Sequence, residues 1–380
     1  MKQESFVVPG WRAVTVAVVL FTVLTASLFT VIMPDIGLDP AVWLRSYVPA
    51  LIFWLNIAMG SLLLLMIHEL SGGGWGETIL RPCRAAVATL PLLALLFVPL
   101  LTFSSLLYPW QDSVSPDTSN RSAYLGSINV AIRTVVIFTL WLVIAASMNV
   151  WQSSRRSRTL APRAAAGLIV LVLTVTLFAI DWVLSLDPFS ANTMIGFNVL
   201  AGQLTGALAF AIVVVIVTGQ YKNAEERQGR LQDLGNLLLA SVLFFAYILY
   251  MDYLIVWSGN LPDEIHWYLT RGGSTGLALI TGLLFFHLFL PLVMLLSRHI
   301  KRSSTGLLIV ALSVMLGRLL DTFWLLHPLY RIGGTPGLIS DMVLMALLAL
   351  VWIRVFTWLL RSDRSTEERG TPSQPGQKSL

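Results

Sequence analysis

Residues 193–218 read TMIGFNVLAGQLTGALAFAIVVVIVT, twenty-six positions without a single charge. As an α-helix this run would extend about 39 Å, more than the roughly 30 Å of a bilayer's hydrocarbon core. It has no polar face to offer water, so it reads as a membrane-spanning helix.

Working outward, nine further runs have the same character: about 13–33, 49–70, 86–108, 126–150, 164–185, 234–257, 274–297, 305–326 and 338–360. None alternates with period 2, which argues against a barrel. The composition agrees: of 380 residues 56% are hydrophobic and only 12% charged, against about 25% charged in soluble domains. The chain is therefore expected to be all-α, a polytopic membrane protein with about ten transmembrane helices in one domain over 1–360. The first run is too long for a signal-peptide core and no small-residue cleavage site follows it, so it reads as an uncleaved helix. Residues 361–380, RSDRSTEERGTPSQPGQKSL, have the composition of a disordered tail.

Ten spans put both termini on one side, and the basic residues say which. With cytoplasmic ends the inner segments carry eighteen Lys and Arg, including Arg155, Arg156, Arg158 and Arg163. The outer loops carry four, Arg45, Arg121, Arg271 and Arg331. That is the positive-inside asymmetry. The net charge of +5 thus reports orientation in the lipid bilayer, and no nucleic-acid partner is read from it.

Cys83 is the only thiol, whereas an iron–sulfur cluster generally takes four cysteines and a disulfide two. A bis-histidine haem needs two histidines at matched depth. His68 falls at the inner end of the second helix, His287 near the middle of the eighth, and His266, His299 and His327 at or beyond helix ends. No haem or iron–sulfur cluster is expected in this chain, so any electrons must be carried by a partner. The loop SGGGWG at 71–76 follows no strand and reads as a tight turn, not a nucleotide fingerprint.

The chain does carry charges inside its apolar runs. Asp181 and Asp321 each precede a proline by seven residues and Asp252 by ten, which sets them roughly 10 to 15 Å inside the outer end of a helix. Arg133 and Asp341 lie early in two inward-running helices, and Arg318 sits one turn deeper than Asp321. Such charges cost at least about 2.5 to 3.5 kcal/mol each, so they face the bundle and are paired or functional. Arg318 and Asp321 are three apart on one helical face, spacing that allows either a local structural ion pair or a proton relay. This outer layer counts four carboxylates against two guanidinium groups, leaving two acids without a basic partner as candidates to hold and release protons. His287 in FFHLFLPL is a core histidine or a ligand, and His68 with Glu69 is a candidate for cytoplasmic proton entry.

Several strings together resemble the NrfD-like, polysulfide-reductase-type membrane subunits of bacterial alternative complex III, in particular the ActF-like ones. They are HELSGGGWGETILR (68–81), DWVLSLDPFSANTMIG (181–196), FFAYILYMDYLIVWSGNLPDE (244–264), HLFLPLVMLLSRHIKR (287–302) and LGRLLDTFWLLHP (316–328). The resemblance implies two four-helix bundles, roughly 49–185 and 193–326, plus two extra helices. It also implies a bacterial inner-membrane location beside a sister NrfD-like subunit and beside iron–sulfur and haem c subunits that oxidise a quinol. Quinone or quinol is then the expected ligand, with Arg133, Asp181, Asp252, His287, Arg318, Asp321 and Asp341 as candidates for its site or for proton transfer. The alternative is a secondary transporter of a small solute, although transporters place their sites nearer the midplane.

The orientation is directly testable. A reporter fused after Arg158 is expected to behave as cytoplasmic and one inserted near Asp263 as external. Opposite labelling at either position would overturn the outer placement of the acids.

Overall fold

The computed structural model describes residues 40–107, 124–151, 160–187, 190–219, 224–327 and 338–370. Among them every regular element is helical. In chain order these are α1 (Pro40–Ser71), α2 (Gly74–Val87), α3 (Leu90–Leu96), α4 (Val98–Thr102), α5 (Ser104–Leu107), α6 (Ser127–Ser147) and α7 (Leu160–Trp182). There follow α8 (Ile195–Thr218), α9 (Ala224–Gly259), α10 (Pro262–Thr270), α11 (Gly273–Leu283), α12 (Leu290–Leu296), α13 (Arg298–Arg302), α14 (Ser304–Leu325) and α15 (Leu338–Gly370). Nine stretches among the described residues are long and apolar enough to cross a membrane, the architecture of a multi-pass helical membrane protein. The tenth expected span, 13–33, lies outside the described residues, as do Arg155, Arg156 and Arg158.

The apolar runs locate the spans, and the helices overrun them. α1 begins nine residues before the run at 49, and α9 begins ten before the run at 234, because extending a helix costs far less than starting one. The same cooperativity carries α15 to Gly370, into the segment whose composition suggested disorder; no proline intervenes before Pro372. Residues 371–380 lie outside the described residues. The run at 86–108 is instead broken into α3, α4 and α5, with Pro91 and Pro99 each in the first turn of a new piece, where their missing N–H is harmless. The glycine turn between α1 and α2 is present: Gly72 and Gly73 have φ of 67° and 96°, a region that side chains other than glycine's disfavour.

α1 occupies the centre, its apolar window 89% buried, whereas the window of α11 and α12 is only 22% buried. α1 lies against α8, α15, α2 and α7, and α8 in turn lies against α14 and α9. The α1–α8 contact joins the two halves of the chain. There a β-carbon on Gly60 would run into the Gln203 carbonyl, so the two backbones touch, and Gln203 Nε2 donates to Asn56 Oδ1 at 3.0 Å. Lipid tails are as apolar as leucine, so association between helices in a bilayer rests on such close packing and interhelical hydrogen bonds. In the first half, Phe97, Phe138, Phe178, Trp141 and Trp182 form one ring cluster. Its buried indoles donate across helices, Trp141 to Thr174 at 2.8 Å and Trp182 to Thr134 at 3.0 Å.

Gly60→Val should force α1 and α8 apart, with a cost on the order of 1 to 3 kcal/mol or more. The check is the thermal unfolding midpoint of the detergent-solubilised chain; an unchanged midpoint would refute the backbone contact.

Candidate functional site

A cavity of about 540 Å³ lies between α9, α11 and α14, roofed by α10. Its wall is almost wholly apolar, with Phe245, Leu249, Leu277, Ile280 and Leu284 contributing. Tyr250 is 58% exposed and Leu277 62%, so the cavity opens sideways between α9 and α11.

The end of the cavity away from α10 is shaped by a proline. Pro291 cannot donate the hydrogen bond that the α-helical ladder requires, and the preceding turn, Leu284–Phe289, is π-helical. Ser313 on α14 donates its hydroxyl to the Phe286 carbonyl at 2.7 Å within that turn. Gly317 lets the α14 backbone pass directly under His287. His287 is thereby set into the cavity wall, 1% exposed, edge-on to Phe245 with ring centroids 4.5 Å apart. Neither of its ring nitrogens makes a hydrogen bond among the described residues; the Val314 carbonyl is near but outside bonding geometry.

The end under α10 is polar. Asp252, 2% exposed on α9, accepts at Oδ2 from Asn192 (3.2 Å), Asn198 (3.2 Å) and the Tyr268 hydroxyl (3.1 Å). Tyr268 belongs to the cavity wall, so a phenol separates the acid from the cavity. Burial first, and the neighbouring Asp252 carboxylate next, push that phenol above its ordinary range, so it stays protonated and donates. From Phe245 to Asp252 is seven residues of helix, so the two polar ends stand roughly 10 Å apart.

Arg271, one of the loop cations of the sequence count, stands at this end of the cavity. It is 3% exposed and lines the cavity. Its plane lies 3.2 Å from the Trp267 ring centroid, and it donates to the Trp267 carbonyl at 3.0 Å and the Leu325 carbonyl at 2.8 Å. It is buried because α10 folds back over the bundle instead of leaving it as loop.

The expected site residues therefore separate. Arg133 and Asp181 form a bidentate pair between α6 and α7, at 2.9 and 2.8 Å. Arg318 and Asp321 form a local pair at 2.8 Å within α14, with the guanidinium also over Phe245 at 4.7 Å and pressed against Gly202. Of the two acids left over by the sequence count, Asp252 has three neutral donors. Asp341 is buried in the first turn of α15, off the cavity lining. His68 is buried edge-on to Trp75, beside part-exposed Glu69, at the far end of α1. Only His287, and Asp252 through Tyr268, reach the cavity. Asn192, Asn198, Tyr268 and Arg271 were missed. For the last two a signal existed, since Pro262 followed by Asp263 and Glu264 is a helix start.

Comparison of the sequence with models of known protein families and with curated proteins finds no match.

The Arg318–Asp321 pair predicts an asymmetry. Losing Arg318 leaves an acid that can bind a proton, whereas losing Asp321 strands an arginine that cannot release one. Breaking a buried pair costs about 3 to 5 kcal/mol, so Asp321→Asn should lower the yield of folded protein on a native gel more than Arg318→Gln does. Equal yields would mean that the two are not each other's principal partners.

Proposed function

We propose that this chain is a membrane subunit of a quinol-oxidising respiratory complex of the alternative complex III type, and that the cavity roofed by α10 receives the quinol. The observation that carries the reading is the cavity itself, apolar and about 540 Å³ in volume, with a few polar groups at its ends. Ligand sites for apolar ring compounds have this character: a hydrophobic wall and a small number of placed donors and acceptors. A quinol ring with its isoprenoid tail matches such a wall, and the sideways opening matches a ligand that arrives through the bilayer.

His287 and Tyr268, one at each end of the cavity, are the two groups that could meet a ring oxygen, with Asp252 behind Tyr268. Quinol supplies two electrons and two protons on oxidation. Within the chain, Asp252 suits the proton side of that chemistry. Its donors are neutral, so it can gain or lose a proton without stranding a bonded cation, unlike Asp181 and Asp321. Electrons would pass to iron–sulfur and haem c subunits alongside a sister NrfD-like subunit in a bacterial cytoplasmic membrane. The transporter reading has less support, because the two closed ion pairs lie outside the wall of the cavity and the cavity is apolar.

Affinity purification from native membranes tests the assembly: haem absorbance and quinol oxidation should accompany the chain, and a chain recovered alone, in quantity and colourless, would sink the proposal. Within the assembled complex, Asp252→Asn should form normally, since Oδ1 of asparagine can still accept from Tyr268, yet turn over at least about tenfold more slowly if it removes a positioned acid–base group. Normal turnover per assembled complex would remove Asp252 from the proton route.

A further inference from the structure

Arg271 stands apart from the other two arginines of this layer. Arg133 and Arg318 each grip a carboxylate, whereas Arg271 grips two backbone carbonyls and Thr270 and lies over Trp267. No carboxylate among the described residues is within ion-pair range of it; Asp187 and Asp252 act on it only through space. Its Nε has no hydrogen-bond partner among the described residues although the atom is buried. A charge taken out of water without a contacting counter-ion is costly, and the cost falls when an anion is brought beside it. Among the described residues, the space beside Arg271 that protein leaves open is the cavity, whose wall it helps to form.

We propose that Arg271 is a specificity-determining residue of this cavity, and that the cavity favours an apolar ring compound whose ring oxygen is ionised over the same compound with that oxygen neutral. The proposal rests on the quinol reading and deepens it. It places the ring at the end under α10, next to Tyr268 and Arg271 and not beside His287, and it gives the guanidinium the task of holding an ionised ring hydroxyl. A phenolate and a lipid phosphate share the chemistry that Arg271 would recognise, so the test must separate them.

The probes are a 2-hydroxy-3-alkyl-1,4-naphthoquinone, ionised at neutral pH, and its 2-methoxy ether, which carries no charge. Binding to the full-length chain is followed by quenching of tryptophan fluorescence, Trp324 being part of the cavity wall. The hydroxy compound should bind about tenfold tighter or more, the scale of one hydrogen bond to a charged group. The preference should fade as pH is lowered through the hydroxyl's own ionisation. In Arg271→Gln the two compounds should bind alike. An azide derivative of the hydroxy compound, photolysed on the wild-type chain, should label residues 267–272 or Trp324, a result that needs no variant. If neither compound binds the wild type, the quinol reading itself fails. If both bind equally, or the label falls only on 284–291, the role of Arg271 is overturned while the cavity's ligand class stands. Displacement of the hydroxy compound by added phosphatidylglycerol would assign the site to a headgroup phosphate and overturn it too.

Discussion

A guanidinium packed among helices keeps its proton, so the protein around it has to be built to its shape. Three arginines impose that condition here, and each is met differently. Arg133 takes a bidentate carboxylate from the neighbouring helix. Arg318 takes one from its own helix, three residues on, in a space that Gly202 leaves free. Arg271 takes carbonyl oxygens and an indole face. The consequences reach far: the first joins α6 to α7, the second fixes where α8 and α14 approach, and the third depends on α10 lying over the bundle.

The acids divide along the same line. Asp181 and Asp321 serve cations, so protonating either would leave a charge uncompensated. Asp252 is held by two amides and a phenol, a neutral shell that tolerates both protonation states. Burial alone therefore does not mark an acid for proton chemistry; what matters is the charge of the groups that hold it.

Most of the architecture was legible because hydrophobic run length is set by bilayer thickness, a constraint acting on consecutive residues. Nine of the ten expected spans appear as helices, and the tenth lies outside the described residues. The pair Arg318 and Asp321 was readable for a similar reason, since helical periodicity alone brings residues three apart together. The site was less legible. Arg271 sits just before the α11 span, and counting loop charges assigns it to water; only the return of α10 buries it. Asn192 and Asn198 carry no local signal at all, because their role exists only once α8 packs against α9. Helix starts such as Pro262-Asp263-Glu264 can be read from sequence, but the direction in which a short helix folds cannot.

The π-helical turn at Leu284–Phe289 amounts to one residue more than an α-helix would use over the same rise. Each added residue rotates everything beyond it by about 100°. The faces of α11 and α12 are therefore out of phase, and no single helical wheel describes 273–296. A chain one residue shorter here would keep the same hydropathy and the same span, yet would point a different side chain at the cavity. The imidazole's address is thus a matter of counting: it depends on how many residues separate the glycines at the start of α11 from Pro291, a quantity to which insertions and deletions are far more consequential than substitutions.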